Sequence, residues 1–159
     1  MQYVIGVDLG TSATKTILID QNGKIIAEES VKYPMYQPEN GWAEQEPSDW
    51  SEAAISTIKS VVKKSQVNGK DVHGIGISGQ MHGLVMLNKD NQILRKSIIW
   101  CDQRATKQVE EMLELPMEKW LEITANPPMA GWTAAKILWV KENEPEIFEK
   151  CKHIMLPKD

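Results

Sequence analysis

Short runs of β-branched and apolar residues dominate the first part of the chain. Such runs occur at residues 3–8, 14–20 and 24–32, and Asn22-Gly23 stands between the second and third runs. Because Asn-Gly accepts positive φ at little energetic cost, this pair favours a tight hairpin turn. The pattern therefore predicts three short β-strands, the last two joined as a hairpin.

The spacing of apolar residues becomes helical after a loop with proline and glycine at residues 34–47. Pro47 suits the first position of a helix, and Trp50, Ala54 and later apolar residues recur at helical intervals. This periodicity predicts an amphipathic helix that ends at about Ser65.

The middle of the chain combines one glycine-containing strand with shorter apolar runs. Residues 72–78 predict a buried strand whose small residues allow close packing on one side. Residues 84–87 predict a strand that turns at residues 88–91 toward residues 93–94, and residues 98–99 predict another short strand.

The last third of the chain has mostly helical periodicity. Four helices and a closing strand are predicted, at residues 104–115, 116–123, 131–142, 145–150 and 153–156. Three strands, a helix, a further strand and then several helices favour an α/β fold, in which helices flank a mixed sheet.

The composition limits the classes of partner. The 159 residues are 42% hydrophobic, enough for one substantial core, and carry a net charge of −4. Nucleic acids and anionic membranes bind clustered basic residues, so neither is expected as a partner. No apolar run approaches the ~20 residues of a membrane span and no leader pattern is seen, so we expect a cytoplasmic protein. Cys101 and Cys151 lack metal-ligand spacing and are expected to be reduced thiols.

The clearest chemical motif is Asp8-Leu9-Gly10-Thr11-Ser12, between the first two predicted strands. Gly10 permits close approach of a ligand, and the hydroxyl groups of Thr11 and Ser12 lie beside backbone N–H groups, a combination that suits phosphate. The Asp8 carboxylate suits a hydrated Mg²⁺ that bridges to phosphate oxygens, since it does not bind phosphate directly. For the D-x-G pattern alone, an ordinary glycine turn with a solvated aspartate is the better interpretation.

This motif, with Lys15 following it, resembles the first phosphate motif of the actin-like, hexokinase-like ATPase superfamily. The resemblance implies a ribonuclease H-like fold and binding of the ATP phosphates. The implied phosphate-binding residues are Asp8, Gly10, Thr11, Ser12 and Lys15. Because the superfamily also contains chaperones and filament proteins, this motif alone does not imply a reaction.

A second motif, S-G-Q-M-H-G at residues 78–83, narrows the resemblance. Together with W-C-D-Q-R at residues 100–104 and the segment at residues 132–140, it resembles the FGGY carbohydrate kinases. The resemblance extends over essentially the whole chain. One departure is Ala135, where these kinases usually have proline, and it affects only the geometry at the start of a helix.

The resemblance implies a sugar-binding site around the second motif. Met81 and His82 match the family's substrate contacts, with His82 as a hydrogen-bonding partner for hydroxyl groups and Met81 as an apolar cover. Trp100 would stack on the C–H face of a sugar, and Gln80 and Asp102 complete the candidate set. Without the family, a solvated turn histidine is the better interpretation of His82, and a core tryptophan is an equal alternative for Trp100.

Other residues of these types are assigned structural roles. Arg104 is as well suited to neutralise Asp102 as to take part in binding, and His73 and His153 lack the setting of a site. The remaining tryptophans are predicted to pack in the core, with the last two on one helix face: Trp42, Trp50, Trp120, Trp132 and Trp139.

The resemblance implies an ATP-dependent kinase, with Mg²⁺ at Asp8, that transfers the γ-phosphoryl group to a sugar. The second motif is most similar to that of members that phosphorylate D-xylulose. Other FGGY substrates (gluconate, glycerol or another ketose) and a non-enzymatic chaperone-like or filament-like ATPase module are the alternatives, and a homodimer is compatible with the pattern.

FGGY kinases have two domains and are much longer than this chain. Residues 1–159 are therefore expected to form part of an N-terminal domain, with the rest of that domain and the whole second domain absent. The general base is expected beyond Asp159, so no catalytic residue is assigned, and these residues alone are expected to be inactive.

Overall fold

The computed structural model describes residues 2–159, which form two compact units. The first unit comprises the residues up to 34, residues 47–80 and Lys158, and the second comprises residues 35–46, residues 81–157 and Asp159. The strands, in chain order, are β1 (Tyr3–Leu9), β2 (Ala13–Asp20), β3 (Ile25–Lys32), β4 (Glu44–Gln45), β5 (Val72–Gly79), β6 (Val85–Leu87), β7 (Ser97–Ile98) and β8 (His153–Met155). The helices are α1 (Pro47–Ser65), α2 (Thr106–Met112), α3 (Met117–Thr124), α4 (Thr133–Asn143) and α5 (Pro145–Lys150).

A four-stranded mixed sheet forms the first unit, in the order β3-β2-β1-β5. β2 runs antiparallel to β1 and β3, whereas β5 runs parallel to β1. The predicted hairpin between β2 and β3 is present. Its turn is closed by the Asp20 carboxylate, which accepts hydrogen bonds from the N–H groups of Asn22 at 2.8 Å and Lys24 at 3.0 Å. Gly23 adopts a φ of 80°, which only glycine takes without strain.

The helix predicted from Pro47 to about Ser65 is α1, and it covers one face of this sheet. Its Val61 packs with Ile5, Val7 and Leu18 in a buried cluster. Alternate residues of a strand point to opposite faces, so the residues between these on β1 and β2 lie on the other face.

The strand predicted at residues 72–78 is present as β5, but the prediction that it is buried is wrong for this chain. Ile75 and Ile77 are each more than half exposed. The reason is topological, since β5 lies at the edge of the four-stranded sheet while α1 packs against β1, β2 and β3.

Two small antiparallel sheets and four helices form the second unit, with β4 paired to β7 and β6 paired to β8. Its buried cluster includes Leu84, Met86, Ile98, Trp139 and Val140. The turn predicted at residues 88–91 is present, with Leu87 bridged to Ile93.

Two sequence-based predictions in this unit differ from the structure. α2 is shorter than the helix predicted at residues 104–115, and β4 lies in a segment predicted to be loop. β4 has only two residues and is formed by pairing with β7, which the local sequence pattern does not reveal. Among the described residues 2–159, every helix is too short or too polar to span a lipid bilayer.

Candidate functional site

The first candidate site is the turn between β1 and β2. Asp8, near the end of β1, points to the face of the sheet opposite α1, and Lys15 is its partner across the strand pair. These two side chains border an open groove of about 570 Å³, whose floor includes Gly6 and Gly76. Neither glycine adds a side chain to this groove.

The Asp8 carboxylate is exposed and makes no hydrogen bond or ion pair with any residue from 2 to 159. Within the same residues, no cluster of three or more His, Cys, Asp or Glu side chains is arranged to hold a metal ion. Magnesium in phosphate-transferring sites is commonly held by one or two carboxylates together with water and phosphate oxygens. An exposed carboxylate without a protein partner fits that kind of site.

The turn itself is held by two hydrogen bonds at Gly10. Its N–H donates to the Ala13 carbonyl at 3.1 Å, and its carbonyl accepts a hydrogen bond from the Tyr33 hydroxyl. The Gly10 amide is therefore occupied within the turn, which leaves Thr11 and the exposed Ser12 as the other predicted phosphate contacts at this position. Sequence reasoning did not identify Tyr33, which is 23 residues away from Gly10 in the chain.

Lys15 lies beside the groove, but its ammonium forms an ion pair with Glu28, with 3.0 Å between Nζ and Oε2. Both side chains are more than half exposed. Since exposed ion pairs contribute about 0–1 kcal/mol, a phosphate could compete for Lys15. Phosphate binding by this turn remains a prediction.

The second candidate site is a cavity of about 360 Å³ in the second unit. Met81, His82 and Trp100, three of the five predicted sugar-binding residues, line it together. The remaining lining residues are Cys101, Gln103, Met129, Ala130, Gly131 and Trp132. Met81 is 64% exposed and Trp100 is 46% exposed, so both offer apolar surface to a ligand.

His82 has an unusual backbone conformation, with a φ of 58°. Its carbonyl accepts hydrogen bonds from Lys136 Nζ at 2.7 Å and from Thr133 Oγ1 at 3.3 Å. Burial, and secondarily the charge of Lys136, lowers the pKa of the imidazole below its usual value. The ring is therefore neutral at pH 7, with one nitrogen that donates a hydrogen bond and one that accepts.

The imidazole of His82 stacks on the indole of Trp132, and this corrects the interpretation of Trp132 as a core residue. Trp132 precedes α4 and has an extended backbone, with φ −87° and ψ 152°. It therefore does not share a helix face with Trp139, which instead packs edge-to-face against Trp42 at a centroid distance of 5.3 Å. The sequence feature that could have indicated this role is the location of Trp132, at the end of a proline-containing loop directly before a helix.

Gly131 explains how this loop approaches the rest of the cavity. A Cβ at this position would clash with the carbonyl oxygen of Trp100. Glycine is therefore required for the loop to contact the Trp100 backbone.

Asp102 has no exposed surface and is not among the residues that line the cavity. One of its oxygens accepts a hydrogen bond from the Ala43 N–H at 2.6 Å. The carboxylate also accepts hydrogen bonds from the Arg104 guanidinium at 2.8 to 3.0 Å. The guanidinium also contacts Glu44 at 2.8 Å and lies 3.8 Å from the Trp42 ring centroid. In this structure Asp102 neutralises Arg104, which was the sequence-based alternative, and direct contact with a sugar stays a prediction.

Gln80 directly precedes Met81 in the chain but is not among the residues that line this cavity. It belongs to the first unit, where its N–H donates to the Leu9 carbonyl at 2.8 Å. Its side chain does not border the cavity that Met81 and His82 line. Contact between Gln80 and a sugar stays a prediction.

Comparison with known proteins identifies the family. Residues 3–159 match the FGGY family of carbohydrate kinases, N-terminal domain. The xylulose kinase of Bacillus subtilis (strain 168) is 51% identical over 159 residues, which are all of this chain and 32% of that protein. The chain thus spans about a third of the length of the curated relatives that it matches.

Solved structures agree with this match. A crystal structure described as a xyloylose kinase from Brucella ovis superposes with a TM-score of 0.94 at 34% identity, covering 99% of this chain and 33% of that one. A gluconate kinase from Lactobacillus acidophilus superposes with a TM-score of 0.88 at 32% identity, covering 97% of this chain and 31% of that one. These neighbours confirm the mixed sheet with flanking helices as the ribonuclease H-like fold of sugar kinases, and the chain belongs to the FGGY family of carbohydrate kinases.

Proposed function

We propose that this chain is the N-terminal part of an ATP-dependent kinase that phosphorylates D-xylulose to D-xylulose 5-phosphate. The observation that carries the proposal is the cavity lined by Met81, His82 and Trp100. The relatives named xylulose kinase, at 51% and 42% identity over the whole chain, support D-xylulose as the substrate.

The chemistry of the cavity suits a small polyol. A neutral imidazole at His82 can both donate to and accept from hydroxyl groups, while Trp100 and Met81 can cover the C–H surface of the sugar. The volume of about 360 Å³ lies near the lower end of the range for small-molecule sites, which is roughly 300–1,000 Å³. Such a cavity fits a pentulose better than a large ligand.

The turn between β1 and β2 is proposed to bind the phosphates of ATP. Asp8 would hold Mg²⁺, and Thr11, Ser12 and Lys15 would contact phosphate oxygens. When bound, Mg²⁺ neutralises charge on the phosphates during transfer. The chain's own contribution is to orient these groups, because phosphoryl transfer depends mainly on positioning and electrostatic stabilisation.

The general base that accepts the sugar hydroxyl proton is not assigned to any residue of this chain. Asp8 is exposed at the phosphate turn, where it suits a metal ion better than a sugar hydroxyl. We place the base, the remainder of this domain and a second domain in the part of the kinase that corresponds to the other two thirds of the relatives. The exposed Ile75 and Ile77 on the edge strand β5 are consistent with further chain packing there.

Gluconate is the second candidate substrate, because one structural neighbour at 32% identity is a gluconate kinase. A non-enzymatic ATPase module is the third, and the cavity around Met81 and His82 argues against it. ATP and a sugar are the proposed small-molecule partners in the cytoplasm. With a net charge of −4, the chain is not proposed to bind nucleic acid or membranes.

The test is substrate selectivity of the complete kinase, measured as ADP release with D-xylulose, D-gluconate and glycerol. We expect kcat/KM to be highest for D-xylulose and the product to carry phosphate at carbon 5. A higher kcat/KM for gluconate would identify gluconate, and not D-xylulose, as the substrate. ATP turnover that no sugar stimulates would refute the proposed sugar kinase activity. The 159-residue chain alone should show no sugar-dependent turnover, and activity there would refute the proposed location of the base.

A further inference from the structure

Lys136 is a fully buried lysine, with none of its surface exposed. Lysine is rarely buried, because removing its ammonium from water costs free energy unless polar groups replace the water. The Nζ atom of Lys136 donates hydrogen bonds to the carbonyls of His82 at 2.7 Å and Gly131 at 2.6 Å. Both of these carbonyls belong to residues that line the cavity.

The ammonium therefore joins two segments that are far apart in the sequence. His82 belongs to the S-G-Q-M-H-G motif, and Gly131 belongs to the loop before α4. Lys136 lies in the first turn of α4, so the helix itself provides the anchor. Thr133, the first residue of α4, donates a further hydrogen bond from its Oγ1 to the His82 carbonyl.

The backbone of His82 is in the left-handed region, with a φ of 58°, which is uncommon for residues other than glycine. Conformations of this kind persist where surrounding groups hold them. With the His82 carbonyl bound to Lys136, the imidazole lies stacked on Trp132, at 5.5 Å between ring centroids and 26° between planes.

We propose that Lys136 is a positioning residue for sugar recognition: its ammonium holds the His82 carbonyl and so keeps the imidazole on Trp132 at the cavity. This inference rests on the proposed function, because it assigns to His82 the recognition of sugar hydroxyls. Lys136 itself is buried and does not contact the sugar.

Burial of Lys136, together with the charges around it, sets the pH range in which its ammonium is charged. Burial lowers the pKa of Lys136 to about 8, and it outweighs Asp102 and Cys101, which raise the pKa, while Arg104 lowers it further. Lys136 in turn lowers the pKa of His82. As the pH rises through about 8 the ammonium loses its charge. The neutral amine keeps two N–H donors, but its hydrogen bonds are weaker than those of the ammonium, so sugar binding should weaken in that direction.

The main test replaces Lys136 in the complete kinase with methionine, which keeps the length of the side chain and removes its charge and donors. Lys141→Met is the matched control, because Lys141 is on the same helix and exposed. We expect Lys136→Met to raise KM for D-xylulose about tenfold or more, with KM for ATP within about twofold. Equal effects on both constants, or none, would overturn the proposal.

A second readout does not depend on kinase activity. The imidazole pKa of His82, followed by NMR among the three histidines, should rise in Lys136→Met because a nearby positive charge is removed. If the complete kinase phosphorylates no sugar, the proposed function fails, whereas an unchanged His82 pKa refutes the link between Lys136 and His82.

A third readout needs no variant and covers the case in which Lys136→Met does not fold. In the wild-type kinase, KM for D-xylulose should rise between pH 7 and 9 while KM for ATP stays level. A sugar KM that is flat over this range would overturn the proposed role of the ammonium charge in holding His82.

Discussion

The His82 carbonyl and the Lys136 ammonium lie 2.7 Å apart, although 54 residues separate them in the chain. This contact places the backbone of the S-G-Q-M-H-G motif on the first turn of α4. The motif is therefore a loop that is hydrogen-bonded to a helix. The contacts of its side chains are defined, and mutations can test what each contact contributes.

Replacing His82 with alanine should impair sugar recognition and spare ATP binding. Loss of a hydrogen-bonding partner for a buried hydroxyl costs roughly 1–3 kcal/mol, or about ten- to a hundredfold in kcat/KM for D-xylulose. Steady-state constants for both substrates of the complete kinase measure this, with the exposed His153→Ala as the control. A change in KM for ATP alone would assign the motif to the nucleotide.

Asp8→Asn should lower kcat on the order of a hundredfold or more while the fold persists, because it removes the charge proposed to hold Mg²⁺ and preserves the shape of the side chain. Asp90→Asn, in an exposed turn, is the control. Turnover and the circular dichroism spectrum are compared at saturating Mg²⁺. Normal turnover of Asp8→Asn would exclude Asp8 from the metal site.

Tyr33→Phe should affect the ATP side of the reaction. The variant removes the hydrogen bond that the Tyr33 hydroxyl donates to the Gly10 carbonyl and leaves the ring in place. We expect a loss of about 1 kcal/mol in stability and a rise in KM for ATP, with KM for the sugar unchanged. Tyr36→Phe, at an exposed tyrosine, controls for loss of a hydroxyl. An unaltered KM for ATP would show that this hydrogen bond does not shape the phosphate turn.

Asp102→Asn distinguishes a structural role from a sugar contact. The substitution leaves the buried Arg104 guanidinium with less negative charge around it, which should destabilise the protein by roughly 3 kcal/mol. Thermal unfolding and KM for D-xylulose are measured on the same preparation. A stable variant with a raised sugar KM would instead support direct contact between Asp102 and the sugar.

Local sequence patterns determined most of the secondary structure. The Asn22-Gly23 turn, the start of α1 at Pro47 and the first three strands were all predicted, because each depends on residues that are neighbours in the chain. The two motifs, together with W-C-D-Q-R and the segment at residues 132–140, likewise indicated the family, since short strings of residue types carry that information.

Contacts between distant residues were decided only by the tertiary structure. No local pattern distinguishes Trp132, stacked on His82, from a tryptophan that packs in the core, and none reveals that Asp102 is covered by Ala43 and Arg104. Burial of a side chain depends on which segments pack around it, and those segments come from elsewhere in the chain. For the same reason, the sequence identified His82 as a candidate but could not identify the buried Lys136 that holds it.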